Sequence, residues 1–105
     1  MSKRNKHQII IYDLEQRLIN SSYDTIDKNV VYGSKIRTYG EIDLYALRGK
    51  YGLYFEIKSN HTKNNYKKAR KQLIKIKDLF ASDTRNWYFY VYGTDDGYSI
   101  NKIKI

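Results

Sequence analysis

Residues 41–58 read Glu41-Ile42-Asp43-Leu44-Tyr45-Ala46-Leu47-Arg48-Gly49-Lys50-Tyr51-Gly52-Leu53-Tyr54-Phe55-Glu56-Ile57-Lys58. Charged or tyrosine positions alternate with aliphatic ones from Glu41 to Leu47, the period of two of a half-buried strand. Gly49-Lys50-Tyr51-Gly52 carries turn chemistry, and alternation resumes with Phe55 and Ile57 on one face and Glu56 and Lys58 on the other. The two segments predict a β-hairpin. With its turn at Lys50 and Tyr51, Gly49 opposes Gly52, Tyr45 opposes Glu56, and Asp43 opposes Lys58. Asp43, Glu56 and Lys58 then share a face, with the β-carbons of the two acids roughly 7 Å apart as diagonal neighbours. A slip of one residue would destroy that arrangement.

Two carboxylates held this close repel, and one of them prefers to be protonated unless a cation neutralises the pair. Mg²⁺ is the natural cation, with Mn²⁺ as a substitute, because it accepts one or two carboxylates together with waters and phosphate oxygens. A lysine beside such a site can hold an attacking water and offset the charge that develops on a phosphate. Lys58 is placed for this, and the neighbouring acids favour its charged form.

Working outward, Ile11, Leu14 and Leu18 fall three and four apart, flanked by Ile10 and Ile19, and predict an amphipathic helix from about Asn5 to Ile19. Val30 to Tyr32 read as a strand running into Gly33 and Ser34. Tyr66, Ala69, Leu73, Ile76 and Phe80 recur at helical spacing. Trp87 to Tyr92 is an aromatic and β-branched run, which Gly93-Thr94-Asp95-Asp96-Gly97 turns into a last strand from Tyr98 to Ile105. The expected order is α-β-β-β-α-β-β, an α/β fold with a mixed central sheet of about five strands flanked by helices. The 105 residues make one domain, with residues 1–7 as a basic, mobile arm.

The chain has 20 basic against 11 acidic residues, a formal charge of +9, and no cysteine. Disulfide frameworks, thiol nucleophiles and cysteine-built zinc sites are thereby excluded. No apolar run approaches the length of ~18 residues that spans a bilayer, so the expectation is a soluble cytoplasmic protein without a membrane partner. A charge of this size points to a polyanion, most often nucleic acid.

Tyr39-Gly40-Glu41-Ile42-Asp43-Leu44, followed by Tyr54-Phe55-Glu56-Ile57-Lys58-Ser59, resembles the Asp and Glu-x-Lys signature of the restriction-endonuclease-like nucleases, written PD-(D/E)XK. Within that superfamily the chain is similar to the archaeal-type Holliday-junction resolvases, which share a Gly-Ser-Lys segment matched by Gly33-Ser34-Lys35. The Gly-Glu-Ile-Asp-Leu form is equally like a group of small bacterial proteins of this fold. The likeness spans roughly Glu15 to Gln72, and the family's proline before the first acid is absent.

The resemblance implies that Asp43 and Glu56 ligate metal, that the Ile57 carbonyl adds a ligand, and that Lys58 assists the nucleophilic water. It also implies that a first-helix glutamate, here Glu15, completes the site, with Asp13 as the weaker substitute. Ser34 and Lys35 resemble substrate-loop residues, with Arg37 beside them, and Gln72 resembles a glutamine on the helix after Glu-x-Lys. The function implied is Mg²⁺-dependent cleavage of DNA, above all branched junctions, by a homodimer. A nuclease on linear, flap or single-stranded DNA, and a non-catalytic DNA-binding protein of the same fold, are the alternatives.

From Lys58 to Lys77 the chain carries eight basic residues and no acid. Lys63, Lys67, Lys68 and Lys71 lie opposite the apolar stripe and form an expected phosphate-binding ridge. Lys3, Arg4 and Lys6, with His7, are a second expected contact. The alternation in Trp87 to Tyr92 predicts a strand covered on both sides, one face core and the other a subunit contact. His61 reads as a surface residue.

Overall fold

In the computed structural model, which describes residues 5–33, 38–79 and 85–105, Asn5 starts the first helix. Its side chain accepts a hydrogen bond of 2.8 Å from the Gln8 amide, closing one of the amides left open at a helix start. Helix α1 (Lys6–Asn20) buries Ile10, Ile11, Leu14 and Leu18. The mobile-arm expectation therefore fails at Lys6 and His7, which belong to the first helical turn; Lys3 and Arg4 lie outside the described residues.

Five strands follow around a second helix: β1 (Thr25–Gly33), β2 (Thr38–Arg48), β3 (Tyr51–Lys58), α2 (Lys63–Leu79), β4 (Arg85–Thr94) and β5 (Gly97–Ile103). The chain is thus α/β in the order α-β-β-β-α-β-β, with one mixed sheet of spatial order β1-β2-β3-β4-β5. Strands β1 to β3 are antiparallel, β4 is parallel to β3, and β5 is antiparallel to β4. A parallel pair needs a crossover connection, and α2 supplies it. Strand β1 begins before the apolar Val30 to Tyr32 run, because its polar first half pairs with β2 along an exposed edge.

The hairpin turns one residue earlier than expected. Arg48 pairs with Tyr51, Tyr45 with Tyr54 and Leu44 with Phe55, leaving Gly49 and Lys50 as the turn. Gly49 has φ +58°, a value that favours glycine, and a two-residue turn matches strand twist best with such a residue first. Asp24 fastens the turn: its carboxylate accepts from the Gly49 amide at 2.9 Å and its own amide donates to the Leu47 carbonyl at 2.9 Å. The pairing moves by two residues relative to the expected register, so every side chain keeps its face.

The helices cover opposite faces. Ile10, Ile11, Leu14 and Leu18 of α1 pack on Leu44, Ala46, Phe55, Ile57 and Val91. Ala69, Leu73 and Ile76 of α2 pack on Ile42, Tyr54, Tyr88, Tyr90 and Ile103. Strand β4 serves both layers, with Phe89 and Val91 toward α1 and Tyr88, Tyr90 and Tyr92 toward α2. Tyr88, Tyr90 and Val91 are buried within the chain, while Trp87 and Phe89 stay half-buried and line an open pocket with Tyr23, Tyr51 and Leu53.

One departure from regular alternation positions the site. Residues two apart on a strand share a face, yet Leu44 belongs to the α1 layer and Ile42 to the α2 layer. On the paired strand, Ile26 packs on the α1 side and Val30 on the α2 side. Between the latter two lies Asn29, in left-handed conformation at φ +52°. The β1–β2 ribbon rolls over at Asn29 and Asp43, and the β2–β3 ladder ends one residue away, at Leu44 and Phe55.

Candidate active site

Because β2 leaves β3 at Asp43, the Ile57 amide has no backbone carbonyl from β2 in that ladder. The Asp43 carboxylate takes its place, with Oδ2 accepting from the Ile57 amide at 2.8 Å. Asp43 is thereby drawn to β3 and buried to 8% exposure, next to Glu56 at 6%. Glu56 and Lys58 lie on the same side of β3, and the Lys58 ammonium stands 3.7 Å from Glu56 Oε1. Glu56 Oε2 is buried with no hydrogen-bond partner among the described residues.

Electrostatics follow from that burial. The Glu56 carboxyl is pushed up to about 8, first by loss of water, then by the charge of Asp43, while Lys58 pulls the other way. At Glu56 burial and the charge of Asp43 thus outweigh the pull of Lys58. His7 enters from α1, its Nε2 3.4 Å from Asp43 Oδ2. Its pKa is raised, chiefly by the Asp43 hydrogen bond, against the opposing effect of burial and of Lys58.

The α1 amino terminus reaches the site because Gly93 leaves room. A β-carbon there would meet the Ser59 carbonyl oxygen at 2.2 Å and Lys6 Cε at 2.9 Å. Any side chain would push apart the end of β3 and the first turn of α1. His7 is the residue that sequence reasoning missed as a site neighbour. Its signal was available: it precedes Ile11 by four and Ile10 by three, which sets it beside the buried stripe once Asn5 caps the helix.

Of the expected site residues, the structure brings together Asp43, Glu56 and Lys58, and ties the Ile57 amide to them. It does not bring Glu15 to them. Glu15 lies eight residues beyond His7, about 12 Å along the helix at 1.5 Å per residue, and its Oε1 accepts from Lys28 Nζ of β1 at 3.0 Å. Asp13 is likewise committed elsewhere, to Arg17 and to the Tyr98 hydroxyl. Among the described residues no group of three or more acids, histidines or cysteines is arranged to hold a metal.

Ser34, Lys35 and Arg37 lie outside the described residues. On α2, Lys63, Lys67, Lys68 and Lys71 are exposed and make no ion pair among the described residues, whereas Arg70 and Lys77 bond the carbonyls of Lys104 and Ile105. Gln72 is partly buried, with its Oε1 enclosed and unpartnered among the described residues. His61 is exposed as expected, but its Nδ1 shares a hydrogen bond of 2.9 Å with the Tyr90 hydroxyl. No described helix is long and apolar enough to cross a membrane. No model of a known protein family matches the chain, and no curated protein matches it.

Proposed function

We propose that the chain is a Mg²⁺-dependent DNA endonuclease of the restriction-endonuclease-like class, acting on branched junctions as a resolvase does. One observation carries this reading: Asp43 and Glu56 are buried side by side, with the Lys58 ammonium next to them. Support comes also from the architecture, a sheet of order β1-β2-β3-β4-β5 with one parallel pair and a helix on each face.

The residues fit a divalent cation. Glu56 Oε2 lacks a partner, and a carboxyl raised to about 8 beside a second acid is a site where a hard cation relieves both burial and repulsion. Asp43 and Glu56 would hold it, with the Ile57 carbonyl as a further oxygen. When bound, Mg²⁺ supplies Lewis-acid polarisation of a phosphate and a more acidic water.

The remaining work falls to the chain's own groups. Lys58 orients the nucleophilic water and offsets charge as the phosphorus gains its fifth oxygen. The Ile57 amide holds Asp43 in one orientation. Lys63, Lys67, Lys68 and Lys71 bind backbone phosphates, so affinity falls steeply with salt. A junction has two opposed strands to cut, which a twofold dimer answers, and the late strands, with Trp87 and Phe89 half-buried on β4 and β5 at the sheet edge, are the surface for it.

The test incubates the protein with four-way junction, linear duplex and single-stranded DNA, with and without Mg²⁺, beside Asp43→Asn and Glu56→Gln. Symmetric junction nicking that needs Mg²⁺ and disappears in both variants supports the resolvase reading. Cutting confined to linear, flap or single-stranded DNA moves the assignment to another nuclease. Binding without cutting on every substrate leaves a DNA-binding protein of this fold. Light scattering reads the dimer.

A further inference from the structure

In the parallel register of β3 and β4, Glu56 sits beside Tyr90 and Lys58 beside Tyr92, one strand spacing of about 4.8 Å away. Tyr90 is buried to 2% exposure and acts as a post for two outer rings. His61 bonds its hydroxyl and lies with ring centroids 4.8 Å from Tyr92 and 5.7 Å from Tyr90. Tyr66, from the first turn of α2 and 37% exposed, meets Tyr90 edge-on at 5.5 Å. A pocket of about 370 Å³ opens between these outer rings, lined by His61, Lys63, Tyr66 and Lys67. Both lysines are exposed and without an ion pair among the described residues.

Satisfying the Tyr90 hydroxyl would account for His61 alone. It leaves unexplained an exposed tyrosine on the same post and two uncommitted ammoniums on the same pocket. Flat rings with cations at the rim complement a nucleotide, whose base stacks while its phosphates meet the charges. Within a duplex both faces of a base are occupied by its neighbours, so such a pocket takes a base that has left the stack.

We infer that this pocket is a subsite for an unpaired base of the strand whose scissile phosphate lies at Glu56 and Lys58. The substrate is then DNA that is single-stranded or opened next to the cut. Placing the phosphate rests on the nuclease reading above; the base-binding part does not.

The experiment measures binding in EDTA, where nothing is cut, of a strand carrying 2-aminopurine, an abasic strand of equal length, and a linear duplex. Native protein, Tyr66→Ala, Tyr66→Phe and His61→Ala are compared, with thermal unfolding recorded for each. The expected result is quenching of 2-aminopurine by native protein and by Tyr66→Phe. Tyr66→Ala should weaken base-bearing single strands by roughly fivefold or more, and leave abasic-strand and duplex affinity unchanged. His61→Ala should act in the same direction.

Equal affinity of Tyr66→Ala and native protein for base-bearing strands, or an equal loss on all three ligands, overturns the subsite. Tyr66 lies at the exposed N-terminal end of the α2 stripe and is 37% exposed, so its alanine and phenylalanine variants decide the matter even if His61→Ala unfolds. Asp43-dependent cutting with no quenching would sink the subsite alone. Quenching without Asp43-dependent cutting would sink the nuclease reading alone.

Discussion

The two faces of the sheet are built from different chemistry. The α1 face is aliphatic, with Ile10, Ile11, Leu14 and Leu18 meeting Leu44, Ala46, Ile57 and Val91, and among the described residues its one buried aromatic is Phe55. The α2 face carries Tyr54, Tyr88 and Tyr90, and α2 contributes just Ala69, Leu73 and Ile76 to it. Tyr54 stacks between Tyr45 and Tyr88, with centroids 6.1 and 5.7 Å away. Tyrosine covers area while keeping a polar tip, so this face tolerates the Glu56 carboxyl and an open edge that hydrocarbon would exclude. The first face holds the fold together; the second tolerates charge because it is incompletely apolar.

The largest expected effect separates these roles at Asp43. Asn at this position keeps an oxygen for the Ile57 amide and removes the charge, so Asp43→Asn should fold normally and lose about a thousandfold in cleavage, ~4 kcal/mol of barrier. Cleavage rates under saturating DNA, with circular dichroism of the same samples, check it. Leu14→Ala should do the reverse. Truncating a core leucine costs about 2–5 kcal/mol, read as a lower urea midpoint, while cleavage per folded molecule stays within about twofold of native. A Leu14→Ala protein that is stable but inactive would erase the distinction between the faces.

The site also makes the metal-free protein's stability depend on pH. The folded-state pKa of Glu56, about 8, lies above its ordinary 4.5, so the neutral form is the one folding favours. Its contribution is fully present below about 4.5 and is lost as pH rises through about 8. In EDTA, the unfolding midpoint should fall across that window, and Glu56→Gln should flatten the fall. Excess Mg²⁺ should raise the native midpoint most at the alkaline end, by mass action on the folded state. A native profile unchanged by Glu56→Gln would show that the carboxyl is not held as the structure places it.

Much of this was legible in the sequence because alternation and helical spacing are local signals. Leu44, Ala46, Phe55 and Ile57 declared one face, and Ala69, Leu73 and Ile76 another, so the hairpin, the crossover helix and the company of Asp43, Glu56 and Lys58 could be read. The register of the turn could not, since glycines at 49 and 52 offer two adjacent solutions; the choice is made by Asp24, which is distant in sequence. The roll of the ribbon at Asn29 and Asp43 broke the very alternation used to infer facing. Asp43 reaches its neighbours through the gap between strands, not from a shared flat face. Glu15 failed because its place on the helix surface fixes its direction but not its height along the sheet, and Lys28 lay nearest.

The smallest expected effect lies on the α1 side, remote from the site, and sharpens the contrast. Tyr98 donates its hydroxyl to Asp13, and its ring lies beneath Arg17 at 5.2 Å. Burial first, then the Asp13 hydrogen bond and charge, push its pKa up to about 12, with Arg17 opposing. The protonated phenol is the form that folding favours, so its contribution is present below about 10 and disappears as pH passes 12. Tyr98→Phe should remove the last-titrating tyrosine from the ultraviolet absorbance curve. Asp13→Asn should move that tyrosine to lower pH. Because the Tyr98–Asp13 bond is solvent-exposed, neither variant should shift the neutral-pH unfolding free energy by more than about 1 kcal/mol, and neither should alter DNA cleavage. An Asp13→Asn protein that failed to cut would place an acid of α1, and not only His7 at its first turn, in the chemistry after all.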